Sequence, residues 1–205
     1  MGKLLKIHSE NPEGRKIQEV CETLENGGMV IYPTDSVYAI GCDILRQDVV
    51  ERIYQFKGLD SSLAHMTFLC KDISQVAEYA SQINNDVFRM LKRNTPGPFT
   101  FIIKANNQVP RVFKNKRRTI GVRIPKNKIV LDIIENLGRP LLSTSLKRND
   151  DLLEYYTEPS FIYERYGNQF DIVIDGGIGQ TEPSTIVDCT EEIPEIIREG
   201  FEELR

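Results

Sequence analysis

Two periodicities alternate along the chain. Ile17, Val20, Cys21 and Leu24 recur at helical spacing, which lays one apolar stripe along a helix. That helix is expected to start at Asn11 as N-cap, with Pro12 as its first residue, and to stop at Gly27. A second helix near 47–56 carries Val49, Val50, Ile53 and Phe56, and others are expected near 73–80, 85–93, 127–137 (closed by Gly138) and 158–167. Between them lie short runs of Val, Ile, Leu and Phe that read as strands. These are 4–8, 29–33, 37–42, "MTFLC" (66–70), "FTFIIK" (99–104), "RTIGVRI" (118–124), "PLLSTS" (140–145), "DIVID" (171–175), "STIVD" (184–188) and "EIIRE" (195–199). The stretch "LKRNDDLLEYYT" (146–157) reads as a mobile surface loop. Strands and helices intermingle without strict alternation. The pattern predicts an α/β fold in a single domain, residues 1–205, with a twisted mixed parallel and antiparallel sheet and helices on its faces.

Composition narrows the class. At 205 residues, 40% hydrophobic and 27% charged, the chain can bury a sizeable core. Its apolar runs fall short of the ~18 residues that span a bilayer. The start, "MGKLLKIHSE", is too polar for a secretory signal, and Lys6 occupies the position where myristoylation needs Ser or Thr. Cys21, Cys42, Cys70 and Cys189 are scattered without CxxC spacing. They read as reduced core residues of a cytoplasmic protein with no membrane partner.

Charge adds a functional hint. From Arg89 to Lys128 there are twelve Lys or Arg and no Asp or Glu, which leaves the remainder at −16 in a chain of net charge −4. Such asymmetry points to a polyanionic partner, a nucleotide phosphate or a nucleic acid. A solvated basic face paired with acidic segments such as 191–203 is the alternative.

The candidate chemistry lies at strand ends. In "MVIYPTDSVYAIGCD" (29–43), Pro33 breaks an apolar run and is followed by Thr34, Asp35 and Ser36. This is either an ordinary turn or a polar ledge that holds a ligand, and the ledge is the reading favoured by its partners elsewhere. Ser143, Thr144 and Ser145 end one strand, Ser184 and Thr185 open another, and Thr119, Arg123 and Arg198 lie on or beside others. Ligands of open α/β sheets bind beyond strand ends. Hydroxyls with two arginines suit a small anionic or zwitterionic ligand. Zinc-type hydrolysis has little support, because His8 and His65 are far apart and outside any ligand-spaced cluster. There is no GxSxG elbow and no Walker loop, and "DGGIGQTEPST" (175–185) is a weak turn signal.

"YPTDSVYAIGCD", "TPGPFTFII", "TIGVRIP", "PLLSTS", "STIVD" and "IIREG" occur in the order and spacing of the YrdC/YciO family, from about residue 12 to residue 200, and look most like its YciO branch. The resemblance implies a YrdC-like domain with a concave basic surface that binds nucleotides or double-stranded RNA. It also implies a nucleotidyltransferase, L-threonylcarbamoyl-adenylate synthase, which joins threonine, bicarbonate and ATP with release of pyrophosphate for the threonylcarbamoyladenosine modification of tRNA. Mg²⁺ would accompany ATP, with no protein-ligated metal.

Carried over by position, the resemblance assigns Thr34, Arg123, Ser143 and Ser184 to threonine and Lys57, Thr119, Ser145 and Arg198 to the nucleotide. No side chain is assigned as acid, base or nucleophile. The basic residues Lys92, Arg93, Arg111, Lys114, Lys116, Arg117 and Arg118 are the candidate phosphate contacts for tRNA or double-stranded RNA. Two departures bear on turnover. Lys57-Gly58-Leu59 stands where active members have Lys-x-Arg, and Ser145-Leu146-Lys147 stands where they have Ser-x-Asn. The alternative reading is therefore a non-catalytic relative that grips RNA or nucleotide without completing the chemistry.

Overall fold

A computed structural model describes residues 2–58, 66–110, 118–146 and 154–205. Ten strands form one sheet in the order β1 (Lys3–Lys6), β8 (Ile172–Asp175), β2 (Val30–Tyr32), β3 (Ala39–Asp43), β7 (Leu141–Ser145), β4 (Thr67–Leu69), β6 (Thr119–Arg123), β5 (Phe99–Lys104), β9 (Thr185–Asp188) and β10 (Glu195–Arg198). β8 pairs in parallel with β1 and β2, β4 with β6, and β5 with β9; the remaining neighbours are antiparallel. The sheet is thus mixed, as the intermingled pattern predicts. Helices α1 (Gly14–Glu25), α2 (Gln47–Lys57), α3 (Ile73–Tyr79), α4 (Asn85–Asn94), α5 (Lys128–Leu137), α6 (Glu154–Thr157) and α7 (Pro159–Tyr166) connect the strands.

Strand alternation separates two apolar layers. On the first face Ile31, Ile40, Phe68, Phe101, Val122, Leu142 and Val173 meet side chains from α2, α3, α4 and α7. On the second face Leu5, Val30, Tyr32, Ala39, Leu141 and Ile172 meet α1 and α5. Ile17, Val20, Cys21 and Leu24 supply the α1 stripe, and Ile129, Val130, Ile133, Ile134 and Leu137 that of α5. Gly138 ends α5 at φ +66°, a left-handed conformation that glycine adopts without Cβ strain.

Two sequence expectations are corrected. The first helix begins at Gly14, and neither Asn11 caps it nor Pro12 opens it. The backbone N–H groups of Glu10 and Asn11 donate instead to His8 Nδ1, and His8 N–H donates to Glu13 Oε2, so the histidine ties up the segment that would have been the first turn. Salt-bridged to Lys16, Glu13 has its carboxyl held down at about 2. The stretch 146–157 is not a surface loop where it is described: Leu146, Tyr156 and Thr157 are buried and residues 154–157 are helical. The other helices and strands fall where their patterns place them, within one to three residues at each end.

All four cysteines are free, three of them buried. Among the described residues no helix is long and apolar enough to cross a membrane.

Candidate functional site

Helices α1 and α5 cover only part of the second face. Past β7 and Leu69 the same strand parity turns Thr67, Gly121, Arg123, Thr100 and Ile186 to a part of the face that these helices leave uncovered. There a cavity of about 150 Å³ opens, lined by residues that include Thr34, Ser36, Thr67, Thr100, Arg123, Ser143, Ser145, Ser184 and Arg198. Residues from seven strands and the "PTDS" turn therefore meet in one hollow.

The turn is both of the things its sequence suggested. Thr34 Oγ1 donates to the Val37 carbonyl at 2.7 Å and accepts from Ser36 N–H at 3.0 Å, which closes an ordinary hydroxyl turn. The closed turn then aims Asp35 and Ser36 at Arg123. Arg123 Nη1 donates to Ser36 Oγ at 2.9 Å and Nη2 to Asp35 Oδ1 at 2.5 Å, while Asp35 Oδ2 accepts from Lys126 N–H at 2.9 Å. The pair is desolvated, with side chains 8% and 10% exposed. Arg123 Nε is buried and has no acceptor among the described residues. A buried N–H left in this way costs about 1–3 kcal/mol, a penalty that an incoming ligand oxygen would relieve.

Arg198 closes the opposite wall. Its Nε and Nη2 donate to the Ser184 carbonyl at 3.1 and 2.8 Å, and Ser184 Oγ lies 3.0 Å from Thr100 Oγ1. Among the described residues no carboxylate pairs with Arg198. Desolvation, and secondarily the nearby Arg123 charge, pull its pKa below the usual arginine value. The cavity is thus a hydroxyl-lined hollow with two guanidinium groups in mutual repulsion. It favours a bound anion.

Ser143 is held from beneath. Tyr32, fully buried in the α1/α5 layer, donates from its hydroxyl to Ser143 Oγ at 2.7 Å. The ring reaches there because Gly41 lacks a side chain: a Cβ at Gly41 would stand 2.5 Å from Tyr32 Cε1. Burial pushes the Tyr32 phenol well above its ordinary pKa, so it stays a neutral donor.

The residues singled out in the sequence divide by location. Thr34, Arg123, Ser143, Ser145, Ser184 and Arg198 line the cavity. Lys57 lies at its rim, where Nζ donates to the Ser145 carbonyl at 2.8 Å. Thr119 lies outside it. It occupies the far end of β6, four residues and roughly 13 Å along the strand from Arg123 but on the same sheet face. Among the basic candidates, Arg111, Lys114, Lys116 and Arg117 lie outside the described residues. Lys92 and Arg93 are exposed in the last turn of α4, a helix packed against the face opposite the cavity. Arg118 is exposed at φ +54° just ahead of β6. The described part of the basic stretch does not converge on the hollow, Arg123 apart.

Tyr32, Thr67 and Thr100 escaped the sequence reading, and Asp35 was read only as part of the polar ledge. A signal existed for two of them. Thr100 is the polar position between Phe99 and Phe101, and Thr67 shares the parity of Leu69, so period-two alternation puts both on the second face. Among the described residues no group of three or more His, Cys, Asp or Glu is arranged to hold a metal ion.

Comparison with known proteins supplies the family. Residues 22–200 match the family described as "Telomere recombination", which unites Sua5, YciO and YrdC. The chain is 42% identical to an uncharacterised Haemophilus influenzae protein over 98% of its length and 96% of that protein. The crystal structure of Escherichia coli YciO superposes with a TM-score of 0.92 at 37% identity, covering 100% of this chain and 98% of that one. Pyrococcus abyssi Sua5 complexed with L-threonine superposes with a TM-score of 0.87 at 28% identity, covering 97% of this chain and 57% of that longer one. The threonylcarbamoyl-AMP synthase of P. abyssi is 30% identical over 93% of this chain and 56% of that protein. Matched over most of its length in both sequence and fold, the chain belongs to the Sua5/YciO/YrdC family.

Proposed function

We propose that the cavity binds L-threonine and that the chain forms threonylcarbamoyl-adenylate from threonine, bicarbonate and ATP for tRNA modification. One observation carries this reading: Thr34, Arg123, Ser143, Ser184 and Arg198, dispersed over 165 positions of sequence, line a single hollow. A P. abyssi relative has been solved with L-threonine, and synthases stand among the relatives. Volume supports the assignment. About 150 Å³ suits an amino acid but is well below the roughly 300–1,000 Å³ of pockets for larger ligands, so a nucleotide must extend beyond the hollow. The same sheet face continues past Gly121 toward Thr119, and Lys57 stands at the rim beside Ser145.

In this reading the threonine carboxylate lies against the guanidinium groups and the hydroxyls orient the rest of the molecule. The amine and bicarbonate form a carbamate with loss of water. A carbamate oxygen attacks the α-phosphorus of ATP, the bond to the bridging oxygen breaks, and pyrophosphate leaves. No side chain needs to act as a nucleophile. Positioning and charge stabilisation supply the acceleration, and Mg²⁺ bound to the nucleotide would offset phosphate charge. Leu59 and Lys147, the two departures from active members, lie outside the described residues.

Pyrophosphate release should require threonine, bicarbonate and ATP together. Arg123→Ala should lower it about a hundredfold or more, on the scale of a lost charge-stabilising donor. Release by the wild-type chain that stays at background under every combination of substrates would remove the reading.

A further inference from the structure

We propose that Asp35 is a positioning and specificity residue: it fixes Arg123 and cancels one of the two guanidinium charges, so that the hollow selects a zwitterionic amino acid over a bare anion. This rests on the reading of the hollow as an amino-acid site.

Among the described residues Arg123 and Arg198 are the only charged side chains that line the cavity, and no described carboxylate lines the hollow itself. Asp35 sits immediately behind Arg123, bonded to Nη2, while its other oxygen is anchored by Lys126 N–H. Ser36 Oγ holds Nη1, so the fork end of the guanidinium is engaged by two consecutive residues of one turn. That arrangement sets the plane of Arg123. It leaves the Nε–H, buried and without an acceptor among the described residues, for an incoming oxygen. It also sets the charge. Two guanidinium groups alone would give +2, a general anion trap; with Asp35 beside Arg123 these three groups sum to +1. A carboxylate neutralises that charge, and the ammonium group of the same ligand then gains from the nearby Asp35 carboxylate. A phosphate or a simple carboxylic acid gains nothing from Asp35 and is repelled by it. Across a few ångströms in a partly screened site, a unit charge changes affinity about tenfold or more.

Calorimetry on the full chain with L-threonine and with inorganic phosphate tests the assignment. Asp35→Asn keeps the shape and an acceptor for Lys126, removes the charge and replaces the acceptor facing Arg123 Nη2 with an amide N–H₂. It should bind phosphate at least about tenfold more tightly than wild type and lose at least about tenfold of the preference for threonine over phosphate. Asp35→Glu should restore that preference, which a merely structural role would not do. Unchanged or weaker phosphate binding by folded Asp35→Asn overturns the proposal, and so does an Asp35→Glu variant that behaves like Asp35→Asn. If the Asn variant fails to fold, the wild-type chain decides. It should bind threonine at least about tenfold more tightly than 3-hydroxybutyrate, which lacks the ammonium group, and equal affinities would overturn the assignment. A wild-type chain that ignores threonine while Asp35→Asn gains phosphate affinity would sink the amino-acid reading and leave the charge-setting role of Asp35 standing.

Discussion

The two halves of the second sheet face have the same backbone and opposite fates. Over β1, β8, β2 and β3 the strand positions pointing to that face are Leu5, Ile172, Ile174, Val30, Tyr32 and Ala39, and α1 and α5 seal them. Over β4, β6, β5 and β9 the same parity carries Thr67, Gly121, Arg123, Thr100 and Ile186, and among the described residues of these strands Leu69 alone, at the end of β4, joins the sealed layer. Apolar side chains recruit a helix because burial stabilises by about 25 cal/mol per Å². Hydroxyls and guanidinium groups do not, since covering them without partners costs more than it returns. The lesson is that the site is what remains of a sheet face when its second layer stops halfway. Tyr32 joins the halves: its ring belongs to the sealed layer and its hydroxyl holds Ser143 in the open one.

Alkali should have the largest effect, and it acts through the sealed layers of both faces rather than through the open half. Burial pushes the Cys42 and Cys189 thiols up to about 12 and Cys21 up to about 11, and raises Cys70, Tyr32 and Tyr38 as well. These groups pack in or against the sealed layers, whereas the guanidinium groups of the open half keep their charge throughout. The folded chain retains protons that the unfolded chain surrenders, so stability is unaffected below the ordinary thiol value of 9.0 and falls as pH rises above it. Each such group removes about 1.4 kcal/mol per pH unit, and several together should remove several kcal/mol by pH 11. Urea midpoints measured from pH 8 to 11 check this, and a flat profile would contradict it.

Next in size is Ile134→Ala, which opens a cavity in the sealed half beneath α5. Ile134 is 0% exposed. The change should lower unfolding free energy by about 2–5 kcal/mol while leaving threonine affinity of the folded fraction within about twofold. A large loss of affinity at full folding would show that the halves are not separable. Smallest is Tyr32→Phe, which cuts the joint between them. Losing one buried hydrogen bond should cost about 0.5–1.5 kcal/mol, seen in denaturant midpoints, and should weaken threonine binding by a few-fold because the Ser143 hydroxyl is no longer oriented. Loss of stability without any change in binding would place Ser143 outside the ligand's reach.

Much of the fold is legible along the chain because its layers follow local periodicity. α5 is bounded by Asn127, whose side chain accepts from Val130 N–H, and by Gly138 in the left-handed conformation, both of them local signals. The start of α1 was misread for the complementary reason. Asn11 and Pro12 look like a cap, but His8 and Glu13 bind the competing N–H groups, and no local propensity registers that competition. Part of the site was legible through its motifs, above all Thr34, Arg123 and Ser184. Asp35 was visible in the same motif but had no legible role, because its partner lies 88 residues away.

The amino-acid sequence by itself determined the mixed α/β architecture, the apolar stripes of the helices and the identity of the hydroxyl and guanidinium residues at strand ends, since each depends on spacing within a few residues. Only the tertiary structure decided that α1 and α5 would stop short of β6, β5 and β9, that Asp35 would face Arg123, and that Thr119 and the α4 cations would stand apart from the hollow. Those outcomes turn on strand order, which brings distant segments together and is set by the packing of the whole sheet rather than by any one stretch of it.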